Sequence, residues 1–454
     1  ATTEIYTLSL HDALPICCSF IILPLTQKSA ESLRHGDTSF LGEILGKTCC
    51  KMTKKHIVFI PCGVLPIPAV RGGAVENLVW QLADLNERHV GYEMTVYSPY
   101  DAKAVERSMV YKHTRFSFIR TSGLPNKMLT AFYRACGEWH SLFSGYDFRN
   151  LFLHHIIRDM KAHRQPDVVL LENAPRYAVE IRRFFPQAKV VLHYHNVPNE
   201  VSVWDTIDAC TDCYFCISKF IKHEVERIFR LCGAGGDKAR VFYNCLDIRR
   251  FCNVDGQERI KKRAELGIDE GDKVIVYTGR LQPYKGVREL LSGFSMMQMP
   301  RVKLLIVGGS FYECGTGNRF IRELKRIAGA FKDRVIFTGF VPYASIPAYY
   351  AAADVAVVPS IWDEPFALTA LEALASGLPV VATKSGGIPE VVDERCARLV
   401  ERNEALPRSM AEALTEILCN DDLRKEMSET ARKRAACFTT EIYWNRFTQL
   451  IRDL

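Results

Sequence analysis

Short apolar runs and amphipathic stretches alternate along the chain from about residue 55 onward. Apolar side chains spaced three and four residues apart predict a helix soon after the first run, and they are Val75, Leu78, Val79, Leu82 and Leu85. The apolar runs themselves predict buried strands at 56–60, 94–97, 168–171, 190–193 and 214–217. This alternation is typical of a parallel sheet that is covered by helices on both faces.

The same pattern restarts after about residue 250. It predicts helices at 287–294 and 318–328, and strands at 274–277, 304–307, 335–337, 355–358 and 380–382. The sequence therefore predicts an α/β protein with two Rossmann-like domains, 52–245 and 246–438, whose parallel sheets face each other across a cleft. A last helix within 439–454 has Tyr443, Trp444 and Phe447 to bury, so we expect it to pack back on the first domain.

The first 51 residues do not share this pattern. Residues 1–16 look like translated adaptor sequence, and 17–51 show no clear periodicity before a short basic start at Met52. We therefore expect 1–51 to be a non-native or disordered extension. The alternative is a signal peptide or membrane anchor at 14–25, although that apolar run is too short to span a bilayer.

Composition is that of an ordinary soluble protein, with 48% hydrophobic and 24% charged residues. The net charge of +7 is either ordinary surface charge or a match for an anionic acceptor or membrane surface. We expect no nucleic-acid partner. The segment 128–143 is a weak candidate for peripheral contact with a membrane.

The 16 cysteines are spread along the chain, so we interpret them as reduced thiols of a cytoplasmic protein rather than a disulfide framework. Cys210, Cys213 and Cys216 have the spacing of a metal or iron–sulfur run. However, a fourth ligand at matching spacing is missing, and the segment reads as a buried strand.

The segment 362–381 carries the strongest chemical signal. Pro365 suits the first position of a helix, and Gly377 suits its end. Glu364 and Glu372 would then lie two turns apart, where they could bind two hydroxyl clusters of one elongated ligand. Taken alone, the pair could equally be a carboxylate at a helix start and a solvated side chain.

Two cations follow another predicted strand. Gly279 allows a tight turn, and Arg280 and Lys285 come directly before a predicted helix. A guanidinium, an ammonium group and the N–H groups of a helix start are together suited to a diphosphate.

Two glycine pairs also follow strands. Gly308 and Gly309 allow close approach of a ligand or simply form a turn, and Gly386 and Gly387 lead into a helix. Because ligands of open α/β sheets bind at the carboxyl ends of strands, all these segments are expected to converge on one site.

These motifs resemble the family 4 (group 1) glycosyltransferases of the GT-B fold. The segment 65–76 resembles the branch that contains spore coat protein SA and bacterial polysaccharide enzymes. The resemblance implies that Arg280 and Lys285 bind the donor diphosphate, Glu364 the sugar and Glu372 the ribose. Further substrate contacts are implied at Gly72, Gly73, Gly308, Gly309, Phe340, Val341, Phe366, Ala367, Leu368 and Gly387. The chain departs from the family at Cys245, where glycine is usual in the hinge motif.

The family also places a histidine near the reacting sugar, and His195 fits best. Either His195 or its neighbour His193 could instead be a hydrogen-bonded core residue. The resemblance implies front-face transfer with retention. No cofactor or metal is expected, because the sequence contains no Asp-x-Asp and the cations can neutralise the diphosphate. We thus assign catalytic roles to His195, Arg280, Lys285 and Glu364.

The expected partners are a nucleoside diphosphate sugar, with UDP favoured, and a glycan, lipid-linked or cell-envelope acceptor. Two alternatives remain open. One is a sugar-nucleotide epimerase, which would act on the donor without an acceptor. The other is a catalytically silent coat protein with the same fold, although the four donor residues are all present.

Overall fold

The computed structural model describes residues 54–121, 151–199, 203–232, 237–252, 256–309 and 319–454, without the side chain of Lys332. Residues 54–454 form one compact unit. The extension at 1–51 and the candidate membrane segment at 128–143 lie outside the described residues, as does the start of the helix predicted at 318. In the described part of the chain, no helix combines the length and the apolar character needed to cross a bilayer.

A seven-stranded parallel sheet forms the first domain. Its spatial order is β3-β2-β1-β4-β5-β6-β7. The strands are β1 (His56–Pro61), β2 (Glu93–Pro99), β3 (Thr114–Ile119), β4 (Val168–Glu172), β5 (Lys189–Tyr194), β6 (Cys213–Cys216) and β7 (Ala239–Val241). The five predicted strands are all present. Since β1 lies between β2 and β4, the order reverses there, and a crevice is expected at the carboxyl ends of β1 and β4.

A six-stranded parallel sheet forms the second domain, in the order β10-β9-β8-β11-β12-β13. The strands are β8 (Lys273–Thr278), β9 (Val302–Val307), β10 (Val335–Gly339), β11 (Val355–Val358), β12 (Val380–Thr383) and β13 (Ala397–Val400). Here the order reverses between β8 and β11, so the segments after these two strands lie where open α/β sheets bind ligands.

Helices cover both sheets. In the first domain they are α1 (Ala74–His89), α2 (Ala102–Ser108), α3 (Leu151–Lys161), α4 (Tyr177–Phe184), α5 (Trp204–Ala209) and α6 (Lys219–Cys232). They continue with α7 (Arg249–Cys252), α8 (Gly256–Glu265), α9 (Val287–Met296), α10 (Arg319–Ala328), α11 (Ile346–Ala351), α12 (Leu368–Ala375), α13 (Ile388–Val391), α14 (Leu406–Cys419), α15 (Asp421–Ala435) and α16 (Thr440–Arg452).

The last helix packs on the first domain, as predicted. Tyr443 of α16 stacks on Phe242 with a ring-centroid distance of 4.3 Å, and Phe447 lies 6.1 Å from Phe59 of β1. All three aromatic residues of α16, including Trp444, are buried in the same cluster as the first sheet. Together with the two parallel sheets, this crossing helix confirms the predicted fold class.

The strands that the apolar pattern missed are β3, β7 and β13, and all three lie at sheet edges. An edge strand has only one neighbouring strand, and its partly exposed positions tolerate polar side chains. Arg115 of β3, Arg240 of β7 and Arg398 of β13 are such positions, and none of the three is buried. The continuous apolar runs therefore marked the central strands and not these edges.

Candidate functional site

Strand ends of the second domain meet as predicted. The amide of Gly308 after β9 donates to the carbonyl of Gly339 at 3.0 Å, and the amide of Leu281 donates to Gly309 at 2.8 Å. Gly308 has φ 142°, and a Cβ there would lie 2.0 Å from the carbonyl oxygen of Gly279. Close approach of the two backbones therefore requires glycine at 308.

Other predicted contacts frame this edge. Arg280 is exposed directly after β8, and the ring of Phe340 is 50% exposed beyond β10. The Phe340 ring is thus accessible to a flat ligand. Val341 is partly buried against the main core.

Lys285 and Glu364 meet across the point where the strand order reverses. The Lys285 Nζ atom lies 2.6 Å from Glu364 Oε1, which also accepts a 2.5 Å hydrogen bond from Ser360 Oγ. The Lys285 ammonium group lies 5.3 Å from the ring centroid of Trp362, which packs edge-on against Tyr284. The cation and the carboxylate are therefore held together in a partly desolvated place.

Glu372 is buried on α12, and no lysine or arginine of the described residues forms an ion pair with it. Its Oε2 accepts a 3.1 Å hydrogen bond from the Tyr350 hydroxyl, which also hydrogen-bonds Thr278. Burial raises the pKa of Glu372 to about 7, although the hydroxyls of Tyr343 and Tyr350 and the charge of Arg250 act in the opposite direction. A carboxyl group with this pKa is poised between its neutral and charged forms near pH 7.

The start of α12 differs from the prediction. Pro365 is not the first helical residue, because the helix begins at Leu368 and Ala367 precedes it with φ 63° and ψ 68°. Glu364 consequently lies in a loop and not in the first turn. The side chain of Phe366 is 2% exposed and lies 5.6 Å from the Phe438 ring, so only its backbone is available to a ligand.

Replacing Ala367 with glycine should raise the free energy of unfolding by about 1 kcal/mol, because an L-residue in the left-handed region is strained. Ala373→Gly in the interior of α12 should instead lower it by about 1 kcal/mol. Chemical denaturation of both variants and of the parent protein measures these changes in the free energy of unfolding. A loss of stability in Ala367→Gly would contradict the assigned backbone conformation.

The loop 385–390 joins the two domains. The Gly387 amide donates to the Glu364 carbonyl at 2.7 Å, so this predicted substrate contact already has an intramolecular partner. The Glu390 carboxylate accepts hydrogen bonds of 2.7 Å from the amides of Lys219 and Phe220, at the start of α6 in the first domain. The loop thus positions Glu364 and holds it close to the first domain.

Gly72 and Gly73 precede α1 and have φ values of 79° and 107°. A Cβ at Gly73 would lie 2.1 Å from Oε2 of Glu76, so the turn accommodates that buried carboxylate. Burial, and then the charge of Glu172, raise the pKa of Glu76. The start of α1 and the end of β4 therefore lie at the same edge of the first sheet.

His195 follows β5 and is buried, as is His193. Nε2 of His195 donates to Oε2 of Glu172 at 2.7 Å, and Nδ1 of His193 lies 2.9 Å from the same oxygen. Burial opposes ionisation of Glu172, but the two imidazoles outweigh it and lower its pKa. Burial and then His193 lower the pKa of His195, against the effect of Glu172. The two imidazoles thus lie against an ionised carboxylate, and the ring of His195 is neutral.

Glu172, His193 and His195 also form the group, within the described residues, whose potential metal-ligand atoms lie within 4.8 Å of one another. The absence of a metal cofactor stays a prediction. Cys213 and Cys216 lie in β6 as expected, and burial raises the pKa of both thiols. No described cysteine forms a disulfide.

The sequence analysis did not predict several residues that the structure places at these sites. Glu172 ends an apolar strand, and only its register with His193 on β5 reveals its partners. Ser360 and Tyr350 have no motif of their own. Trp362 lies two residues before Glu364 in the same motif, and its contact with Lys285 was not predicted.

Comparison with known proteins assigns the second domain to a family. Residues 258–434 match the family described as glycosyl transferases group 1. The chain is 27% identical over 399 residues to YtcC of Bacillus subtilis, to which glycosyltransferase activity is ascribed, covering 85% of this chain and 88% of YtcC. It is 26% identical over 394 residues to spore coat protein SA of the same species, covering 84% and 94%.

Solved structures of glycosyltransferases have a similar fold. HepE of Anabaena, solved in complex with UDP and glucose, has a TM-score of 0.67 at 18% identity, and the alignment covers 88% of this chain and 100% of HepE. Residues 258–434 of this protein are therefore a group 1 glycosyltransferase domain, and the chain has the GT-B fold.

The matched region of this glycosyltransferase contains the cationic and acidic residues of the second domain, namely Arg280, Lys285, Glu364 and Glu372. His195, Gly72 and Gly73 lie ahead of it. The domain boundaries near 245 and 438 and the individual roles of these residues stay predictions. What the geometry adds is that Lys285 and Glu364, 79 residues apart, are in direct contact.

Proposed function

We propose that this glycosyltransferase transfers a hexosyl group from a nucleoside diphosphate sugar with retention of anomeric configuration and without a metal ion. The observation that carries the proposal is the contact between Lys285 and Glu364 at the point where the strand order reverses. One cation there can meet the diphosphate while the adjoining carboxylate binds hydroxyls of the transferred sugar.

The roles follow from this arrangement. Oε1 of Glu364 is occupied by Lys285 and Ser360, so we assign Oε2 to the sugar hydroxyls. Arg280 and Lys285 neutralise the charge that grows on the departing diphosphate. Glu372 accepts from the ribose hydroxyls, and Phe340 packs against the base. The acceptor hydroxyl attacks from the face that the diphosphate leaves.

UDP is the proposed nucleotide because the HepE structure with a related fold contains UDP. The proposed acceptor is a glycan, a lipid-linked sugar or a component of the cell envelope or spore coat, in keeping with the similarity to spore coat protein SA. We propose a cytoplasmic location, with peripheral contact to a membrane if the acceptor is lipid-linked.

A screen of nucleoside diphosphate sugars tests this function. We expect nucleotide release from one donor class in the presence of acceptor, an unchanged rate with a chelator, and an anomeric NMR coupling in the product that matches the donor. Interconversion of the donor sugar without acceptor would instead indicate an epimerase. Failure of every donor to bind or react would favour a catalytically silent coat protein.

A further inference from the structure

The carboxylate of Glu172 is buried between the imidazoles of His193 and His195. Its side chain is fully buried at the end of β4. Among the described residues, its close polar partners are the two imidazoles, through the single oxygen Oε2, and Lys and Arg form no ion pair with it. An ionised carboxylate in such a place is costly unless N–H groups solvate it. The ionised form of Glu172 is therefore stabilised when imidazole N–H groups point toward its carboxylate.

This preference fixes the tautomer of His195. An ionised carboxylate can only accept, so Nε2 of His195 must carry the proton in their 2.7 Å hydrogen bond. The neutral ring has one proton, which leaves Nδ1 as an acceptor. No described residue donates a hydrogen bond to Nδ1.

Asn173 fixes the backbone of the same histidine. Its Oδ1 accepts a 2.8 Å hydrogen bond from the His195 amide, and its own amide donates to the carbonyl of His193 at 3.0 Å. Asn173 has φ 49°, a left-handed conformation that asparagine tolerates better than most residues. Two consecutive residues, the last of β4 and the one after it, thus hold the ring and the backbone of His195.

We propose that Glu172 is a positioning residue that accepts the Nε2 proton of His195, fixes the ring in this tautomer and so presents Nδ1 as the acceptor for a hydroxyl of the bound sugar. The role deepens the proposed transfer reaction and rests on it. The other ionisable groups that face Glu172 are His193 on β5, Cys62 after β1, Glu76 on α1 and Tyr443 on α16.

Nitrogen NMR of histidine-labelled protein tests the tautomer without any substrate. In the parent protein we expect the His195 signals of a neutral ring protonated at Nε2, assigned by comparison with His195→Gln. Glu172→Met, which removes the acceptor at similar volume, should shift the ring toward a mixture of tautomers. Glu172→Gln retains an acceptor oxygen and should keep the parent tautomer. A ring protonated at Nδ1 in the parent protein would overturn the proposal.

Steady-state kinetics tests whether the fixed tautomer of His195 matters for sugar transfer. Glu172→Met should lower kcat at least about tenfold with little change in donor KM, and Glu172→Gln should be intermediate. Neither substitution should lower kcat further in a His195→Ala background. The matched control is Glu180→Met, which changes another buried glutamate of the same domain and should leave kcat unchanged.

The outcomes separate the two proposals. Equal losses in the parent and His195→Ala backgrounds would mean that Glu172 does not act through His195. If Glu172→Met does not fold, the same comparison with Glu172→Gln decides. Loss of activity with a chelator and its return with zinc would mean that the cluster binds a metal, and would also overturn this role. The expected tautomer in a protein that transfers no sugar would count against the proposed function instead.

Discussion

Lys285→Ala should lower kcat/KM for sugar transfer by about 10²- to 10³-fold, the loss usual when one preorganised electrostatic contact to a developing charge is removed. The physical reason is the position of Nζ, which lies 2.6 Å from Glu364 Oε1 beside the exposed Arg280. Without Lys285, the departing diphosphate loses a cation that is already in place. Steady-state transfer with the best donor from the screen measures the loss.

Lys384→Ala is the matched control. Lys384 also follows a strand of the second sheet, but it pairs with Glu401 at 3.2 Å where both side chains are more than half exposed. Exposed pairs of this kind contribute about 0–1 kcal/mol, so the substitution should alter neither stability nor rate by much. Full activity in Lys285→Ala would mean that the diphosphate binds elsewhere.

A second variant separates catalysis from folding. Removing Lys285 leaves the Glu364 side chain, which is buried, with Ser360 as its remaining hydrogen-bond partner among the described residues, so some stability should be lost. The double substitution Lys285→Met and Glu364→Gln removes both charges and should recover stability measured by thermal unfolding. It should not recover transfer, which shows that the loss of rate is not a loss of fold.

The central strands and the donor motifs could be predicted because their signals are local. β8, β9, β11 and β12 contain continuous apolar runs, and glycines or cations directly follow β8, β9 and β12 in the sequence. The convergence of these segments then follows from a general property of parallel sheets. Prediction of the strands succeeded where one stretch of sequence contained the whole apolar run.

The start of α12 could not be predicted because distant backbone determines it. A Cβ at Gly386 would lie 2.3 Å from the carbonyl oxygen of Glu364, and the Gly387 amide donates to that same carbonyl. This packing keeps residues 364–367 outside the helix, although Pro365 locally favours a helix start. The contacts that set the start of α12 therefore join residues more than 20 positions apart in the sequence.

Glu172 was missed for a related reason. A single glutamate at the end of the apolar run Val168–Glu172 gives no local sign of function. Its imidazole partners follow about 20 residues later, and only the parallel register of β4 and β5 brings Glu172 opposite His193. Side chains that act together from two strands become visible once the pairing of the strands is known.

Glu372→Gln should raise the donor KM about 10- to 100-fold while making the unliganded protein more stable at pH 8. The loss of affinity follows because the ionised carboxylate is the proposed acceptor for the ribose hydroxyls, and hydrogen bonds to a charged group contribute about 1.5–3 kcal/mol. The gain in stability follows because burial raises the pKa of Glu372 to about 7.

The sign of the pH dependence is determined by that raised pKa. The parent protein has the full contribution of neutral Glu372 below its unfolded pKa of 4.5 and loses it as the pH rises through about 7. The loss amounts to about 3 kcal/mol at pH 8. Glu372→Gln should abolish it, so the two proteins should unfold at similar temperatures near pH 4.5, diverge as the pH rises toward 7 and differ by a constant amount above that.

The affinity for the donor should increase as the pH rises, whereas the stability of the unliganded protein decreases. In the parent protein the donor KM should rise as the pH falls below about 7, because protonation removes an acceptor, whereas in Glu372→Gln it should be flat. Donor KM and thermal unfolding measured between about pH 5.5 and 8.5 check both trends. Glu412→Gln on α14, where the side chain is exposed, should behave as the parent protein does. If the dependence of KM on pH persists in Glu372→Gln, another group titrates with donor binding and Glu372 does not hold the ribose.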